Sequence, residues 1–302
     1  MARKYWLIAV ILLLSLTAFA LHRWGVTTYL VGVTSPLRHP SPHSQRHDDV
    51  FLRAKATKRK ARGSALVVHG LNFDAEGMRE LAQVFQSQGF NTYVPRLFAH
   101  RGRHDEMTGE VRAAWESQFK EWKHSNLEDP LICAGFSLGA LLILEQQLHG
   151  HLDCKFYFGF SPALVLRTPD WVIEAANRLL PRNLTFPSAI PYQYRHFDLI
   201  TLGPSYALFE ILKRFTQSLT QSHPLPLQGY IAIDPNDEVI NAPATIALVE
   251  KYFPKLRILR LKALDMDEKH AHHILIDSKH VGEEQWQRLT TEIGKDLQTL
   301  GE

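Results

Sequence analysis

Apolar and polar positions alternate between two rhythms along most of this chain. Ala65-Leu66-Val67-Val68 is a short, unbroken apolar run rich in β-branched residues, the pattern of a strand buried on both faces. A helical spacing of apolar positions covers about 76–88 and ends at Gly89. Phe90 to Val94 then reads as a strand closed by Pro95. A second helical stretch spans about 107–124, Leu131 to Ala134 is another buried strand, Ala140 to Leu148 is helical, and Lys155 to Phe160 is a strand again. Residues 162–226 break the rhythm. They contain no clear strand, are rich in Leu, Phe, Tyr, Trp and Pro, and hold two amphipathic helical stretches at about 169–180 and 204–219. The alternation resumes with a strand at Gly229 to Ile233, a helix at Ala242 to Tyr252, a strand at Leu256 to Leu261 and a final helix at Glu283 to Leu300. Strands alternating with helices predict an α/β protein with a mostly parallel sheet and helices on both faces. The interruption predicts a helical cap inserted at about 162–226.

The N-terminal stretch follows neither rhythm. Met1 to Lys4 is basic, Tyr5 to Leu21 is uncharged and apolar, and Trp6 and Trp24 stand near its two edges. As a helix, Trp6 to Trp24 rises about 27 Å, close to the thickness of a hydrocarbon core. This favours a retained membrane anchor. A cleaved secretory signal is the alternative, because Ala18-Phe19-Ala20 has the form of a cleavage site. Either reading takes the bulk of the protein out of the cytosol. The predicted organisation is an anchor or signal at 1–24, a linker at 25–48 and an α/β domain at 49–302. His39, His43 and His47 recur at a spacing that suits a metal on a helix, but Pro40 and Pro42 between them argue for a solvated linker. Residues 50–63 read as an antiparallel edge strand or hairpin with a basic turn, a feature also suited to anionic lipid headgroups.

Composition narrows the picture slightly. Hydrophobic residues make up 45% of the 302 and charged residues 22%, as in an ordinary globular protein, and a net charge of +3 is too small to imply a nucleic-acid partner. Cys133 and Cys154, in neighbouring apolar runs without metal-type spacing, read as small core residues and suggest no disulfide scaffold.

The candidate chemistry centres on Gly135-Phe136-Ser137-Leu138-Gly139, which stands between a buried strand and a helix. A strand that turns sharply into a helix exposes the serine at the bend and needs residues without side chains two before and two after it. A serine hydroxyl is a poor nucleophile at neutral pH and requires a base, which in turn requires an orienting acid. After the cap, the strand ending at Ile233 runs into Asp234-Pro-Asn-Asp237-Glu-Val-Ile240. Asp237 is the preferred acid and Asp234 the alternative. The loop after the next strand holds His270, His272, His273 and His280. His272, which opens the segment HHILID, is the preferred base, and His273 is the alternative. An oxyanion also needs two backbone N–H donors. Leu138, next after the nucleophile, supplies one, and Leu71 in Val67-Val68-His69-Gly70-Leu71-Asn72 is the best candidate for the other. His69 then has a structural task, bonding the loop backbone.

In this order, VVHGLN, GFSLG, DPNDEVI and HHILID resemble the α/β-hydrolase superfamily over roughly 50–295. The branch most similar is that of monoglyceride lipases, lysophospholipases and carboxylesterases. In that group the acid stands two residues before a Val and the base opens an H-x-I-L-x-acid segment, which supports Asp237 and His272. The resemblance implies an α/β-hydrolase fold and a serine hydrolase that cleaves small carboxylic esters through an acyl-enzyme, with no metal or organic cofactor. The chain departs from the pattern where HG continues into Leu-Asn, and its cap matches only loosely. The cap's apolar residues, Trp171, Leu179, Leu180, Phe186, Tyr192, Tyr194, Phe197 and Phe209, suggest a lipid-like acyl group, although packing against the sheet explains most of them equally well. Two alternatives are a thioesterase or small-peptide hydrolase on the same triad, and a non-catalytic, membrane-attached binding module.

Overall fold

The computed structural model describes residues 49–53, 61–100, 110–124, 127–221, 225–266 and 271–301. The apolar run at 5–21, the linker with its three histidines, the basic turn at 54–60 and His270 lie outside these residues. Among the described residues, no helix is long and apolar enough to cross a membrane.

The strands are β1 (Val50–Leu52), β2 (Ser64–Val68), β3 (Asn91–Val94), β4 (Leu131–Phe136), β5 (Cys154–Phe160), β6 (Thr185–Pro187), β7 (Leu199–Thr201), β8 (Gln228–Ile233) and β9 (Leu256–Arg260). The helices are α1 (Arg79–Ser87), α2 (Val111–His124), α3 (Leu138–Leu148), α4 (Asp170–Leu179), α5 (Leu202–Gln221), α6 (Ala242–Tyr252), α7 (Ser278–Val281) and α8 (Glu283–Gln298). Seven strands form one sheet in the order β1-β3-β2-β4-β5-β8-β9. Only β1 is antiparallel to its neighbour.

Alternate residues of each central strand feed two separate cores, which is why these strands are apolar without a break. Leu66, Val68, Cys133, Tyr157 and Ile231 pack on one face against Trp115 and Phe119 of α2, Leu141 of α3 and Phe215 of α5. Val67, Ile132, Phe158 and Ala232 pack on the other against Leu81 and Phe85 of α1 and Leu289 and Ile293 of α8. The segment between β5 and β8 holds α4 and α5, as expected, but also an antiparallel pair in which Phe186 stands opposite Ile200. The expectation of no strand there is corrected. Three-residue strands are too short to display the two-residue alternation that marks a strand.

A second correction concerns the cysteines: Cys133 and Cys154 are joined in a disulfide. The register between β4 and β5 slips so that Leu131 pairs with Cys154 and Ile132 with Phe156, leaving Lys155 unpaired. A one-residue bulge reverses the face of what precedes it. Cys154 thereby joins Cys133 on the α3 face, whereas regular pairing would have placed it with Phe156 on the opposite one.

Candidate active site

β4 ends at Phe136 and α3 begins at Leu138, so the whole change of direction falls on Ser137, at φ 51° and ψ −113°. A residue with a side chain adopts such a backbone only when its surroundings impose it. Here they do. The Ser137 N–H donates to the Phe160 carbonyl at 3.0 Å, and its own carbonyl accepts from Ala163 at 3.1 Å and Leu141 at 3.2 Å. The flanking glycines are sterically obligatory. A Cβ on Gly135 would lie 2.5 Å from the Ala140 nitrogen, and one on Gly139 would lie 2.2 Å from the Val68 carbonyl oxygen.

β8 leads into the turn that carries Asp237. Asp237 Oδ1 accepts the Val239 and Ile240 amides at 2.8 and 3.0 Å, which leaves Oδ2 to face His273 Nδ1 at 2.8 Å. His273 Nε2 stands 2.9 Å from Ser137 Oγ. With Nδ1–H donated to the carboxylate, Nε2 is the free acceptor for the serine proton. Phe136, next to Ser137, lies against the His273 ring at 5.1 Å between centroids. The imidazole and carboxylate are buried, and Ser137 is 9% exposed.

His272, the preferred base of the sequence reading, does not reach Ser137. Its Nδ1 faces Asp234 Oδ2 at 2.9 Å, and that hydrogen bond raises its pKa. The alternative histidine is the one at the serine, and the alternative acid serves the other ring. Ala271–His273 is a single 3-10 turn, in which consecutive side chains point about 120° apart. One imidazole therefore enters the site while its neighbour is directed to the turn after β8.

The segments that carry the two expected backbone donors meet at the elbow. Leu138 is the first residue of α3, so its N–H has no partner within the helix. A Cβ on Gly70 would be 3.3 Å from Ser137 Cβ and 2.9 Å from the Phe136 ring, which shows how closely the 69–71 turn lies over the elbow. The amide of Asn72, next after Leu71, is taken by His100 Nε2 at 2.7 Å.

No protein-family model matches this chain, and no curated protein sequence matches it. Its backbone does match solved structures. The structure reported for the metagenome-derived lipolytic enzymes LipS and LipT superposes with a TM-score of 0.64 at 18% identity, over 85% of this chain and 100% of the other. A monoacylglycerol lipase of Paleococcus ferrophilus gives 0.60 at 15% identity over 84% and 98%, and a soluble variant of the Saccharomyces cerevisiae monoglyceride lipase gives 0.58 at 12% over 88% and 98%. The chain has the α/β-hydrolase fold.

Within this fold, His69 bonds its loop backbone as expected, and around it lies a buried polar cluster whose other members sequence reasoning missed. His69 Nδ1 faces its own loop at the Gly70 carbonyl, 2.8 Å away, and Nε2 accepts the Leu97 amide at 3.0 Å. Burial lowers its pKa to about 4, so the ring is neutral. His100 is held well below its ordinary value for the same reason. Asn72, at φ 52°, donates to Ser188 Oγ and the Phe197 carbonyl and accepts the Phe197 amide. Asp74 receives Arg96 and faces His196, all of them buried. Burial pushes the Asp74 carboxyl up, but hydrogen bonds from His196 and Arg96 outweigh this and hold it below the usual carboxylate range. Each partner is distant in sequence (residue 72 to 188, 74 to 196), so no local pattern announces the cluster. The one visible signal was an Asn after HGL, a residue type that tolerates positive φ.

The cap is less of a lining than expected. Trp171, Leu179, Leu180 and Tyr192 are exposed, whereas Tyr194 and Phe197 are buried. Phe209 lines a cavity of about 560 Å³ with Leu164, Ile173, Leu212 and Leu248. Ser137 is not among its walls, but Leu164 follows Ala163, whose amide binds the Ser137 carbonyl. Among the described residues, no group of three or more His, Cys, Asp or Glu is placed to hold a metal ion.

Proposed function

We propose that the protein is a serine hydrolase of carboxylic esters, with Ser137 as nucleophile, His273 as general base and Asp237 as its orienting acid. The observation that carries this is the continuous chain of contacts from Asp237 Oδ2 through His273 to Ser137 Oγ, at 2.8 and 2.9 Å. His273 Nε2 takes the hydroxyl proton as Oγ bonds to the ester carbonyl carbon. The Leu138 and Leu71 amides donate to the resulting oxyanion. Collapse breaks the carbon–oxygen bond to the alcohol, which leaves with the proton from His273. Water, deprotonated by the same ring, then attacks the acyl-enzyme and releases the acid, restoring Ser137. No cofactor enters this sequence.

Lipid-like acyl esters are the substrate class we favour. The apolar side of the cap cavity, formed by Phe209, Leu164, Ile173, Leu212 and Leu248, supports this, as does the ester-hydrolysing character of the structurally similar lipases. We place the catalytic domain outside the cytosol, tethered through residues 1–24. The apolar run at 5–21 supports the tether, and the Cys133–Cys154 disulfide is at home in an oxidising compartment.

A fluorophosphonate probe tests the core of this reading: it labels the wild type and not Ser137→Ala. Labelling that persists in Ser137→Ala refutes it. Comparing short p-nitrophenyl esters with long-chain acylglycerols and acyl thioesters then reads out the substrate class.

A further inference from the structure

The turn after β8 presents two carboxylates, three residues apart, to two consecutive imidazoles. Asp237 faces His273 at 2.8 Å and Asp234 faces His272 at 2.9 Å. The proposed reaction uses only the first pair. The second is as well built: Asp234 is buried, its Oδ1 accepts the Asn236 amide at 2.8 Å, and its Oδ2 accepts the Ala263 amide at 2.7 Å as well as facing His272. One carboxylate thus ties together its own turn, the segment leaving β9 and the turn that carries the base. Its backbone carbonyl also accepts the Asp237 amide at 3.1 Å, so it braces the acid too.

We propose that His272 is a positioning residue: through Asp234 it locks the Ala271–His273 turn to the exit of β8 and so sets where the His273 ring stands relative to Ser137. The argument is geometric. His273 contacts Asp237 through a side chain that can rotate, and a rotatable contact alone leaves the backbone of its turn free to shift. The adjacent pair, pointing about 120° away around the same 3-10 turn, removes that freedom. A second contact from the β8 turn, the His272 amide to Glu238 Oε1 at 3.3 Å, acts in the same sense. Asp265 approaches the outer nitrogen of His272 at 3.4 Å but is 80% exposed and adds little. Removing the His272 ring leaves the Asn236 and Ala263 bonds to Asp234 in place. What is lost is the side-chain link from Asp234 to the turn that carries His273.

The inference rests on the serine hydrolase reading, and the test separates the two. The variants are His272→Ala, His272→Asn (whose amide nitrogen occupies the place of Nδ1), Asp234→Asn and the double variant His272→Ala/Asp234→Asn. The readouts are kcat and KM on a short p-nitrophenyl ester, the fluorophosphonate labelling rate and the thermal midpoint. A misplaced reacting group costs on the order of 10- to 100-fold, so His272→Ala is expected to lose about that much in kcat and labelling rate with KM unchanged. His272→Asn recovers most of the loss, and the double variant is no worse than the poorer single one. Wild-type rates in His272→Ala overturn the proposal, as do an Asn variant no better than Ala, losses that simply follow the thermal midpoint, or additive losses in the double variant. A wild type that does not label at all instead overturns the hydrolase reading itself.

Discussion

Gly139, in the first turn of α3, lies so close to the last residue of β2 that a methyl group there would stand 2.2 Å from the Val68 carbonyl oxygen. This contact brings α3, which follows Ser137, down onto the strand whose continuation forms the 69–72 turn. Neither backbone is a flexible side-chain end that can yield. Gly139→Ala is expected to lose at least about 2 kcal/mol of stability by overpacking, measurable by urea unfolding, and most of the labelling by a fluorophosphonate. A fully stable, fully labelled Gly139→Ala protein contradicts the close approach.

The two neighbouring histidines are expected to differ sharply when replaced. His273→Ala loses about 10⁴-fold or more in kcat, and Asp237→Asn about 10⁴-fold, because an amide no longer holds the tautomer that leaves Nε2 free. These losses exceed the effect of any substitution at His272 by orders of magnitude. Steady-state kinetics on one ester substrate decide the ranking. A His273→Ala enzyme that outperforms His272→Ala reverses the assignment.

The disulfide between β4 and β5 closes a loop with a sequence separation of 21 residues. Closing a loop of that length constrains the unfolded chain by about 3 kcal/mol. The double variant Cys133→Ser/Cys154→Ser is expected to be less stable by that order, seen as a lower urea midpoint. Both cysteines are buried, so a reductant leaves the bond of the folded wild type intact, read as no thiol available to alkylation, until unfolding exposes it.

Acid destabilises this protein in two successive windows. His69 has its pKa lowered from 6.5 to about 4 by burial, so the unfolded chain takes up its proton first. The stability it contributes is complete above pH 6.5 and is lost as pH falls toward 4. At 1.4 kcal/mol per unit this amounts to about 3 kcal/mol. Asp74 acts lower. Its carboxyl, depressed in the fold by His196 and Arg96, contributes stability above its ordinary value of 3.8 that is lost as pH falls further. Urea unfolding from pH 7 to pH 3 is expected to show a decline beginning near 6.5. His69→Gln lessens the upper part of that decline and leaves the share of His100, which burial depresses likewise, and Asp74→Asn flattens the lower part while also costing about 3–5 kcal/mol by leaving Arg96 buried without its carboxylate.

Much of the architecture was legible along the chain because it rests on neighbours in sequence. The buried strands at Ser64–Val68 and Leu131–Phe136 are continuous apolar runs, since both their faces are covered. The glycines of Gly135-Phe136-Ser137-Leu138-Gly139 are demanded within five residues of each other, so they marked the bend, and the side chain at its apex, without any knowledge of the rest. Asp237 was preferred because the strand ending at Ile233 runs into its loop and it stands two residues before Val239, although Asp234 in the same loop stayed open as the alternative. The β6–β7 pair left no mark because three residues are too few to show a period.

What tertiary structure alone decided are the pairings between distant segments. Whether His272 or His273 meets the serine depends on the rotation of one short turn against β4, and adjacent histidines of identical chemistry carry no signal of that rotation. A single unpaired residue, Lys155, decided that Cys154 faces Cys133, because face alternates with every residue and only the cross-strand register shows where the alternation slips. The clamp of Asn72 on Ser188 and Phe197 likewise joins loops more than a hundred residues apart. Local sterics and solvation are written into contiguous residues, whereas the direction of a side chain relative to a remote partner is set only once the sheet is assembled.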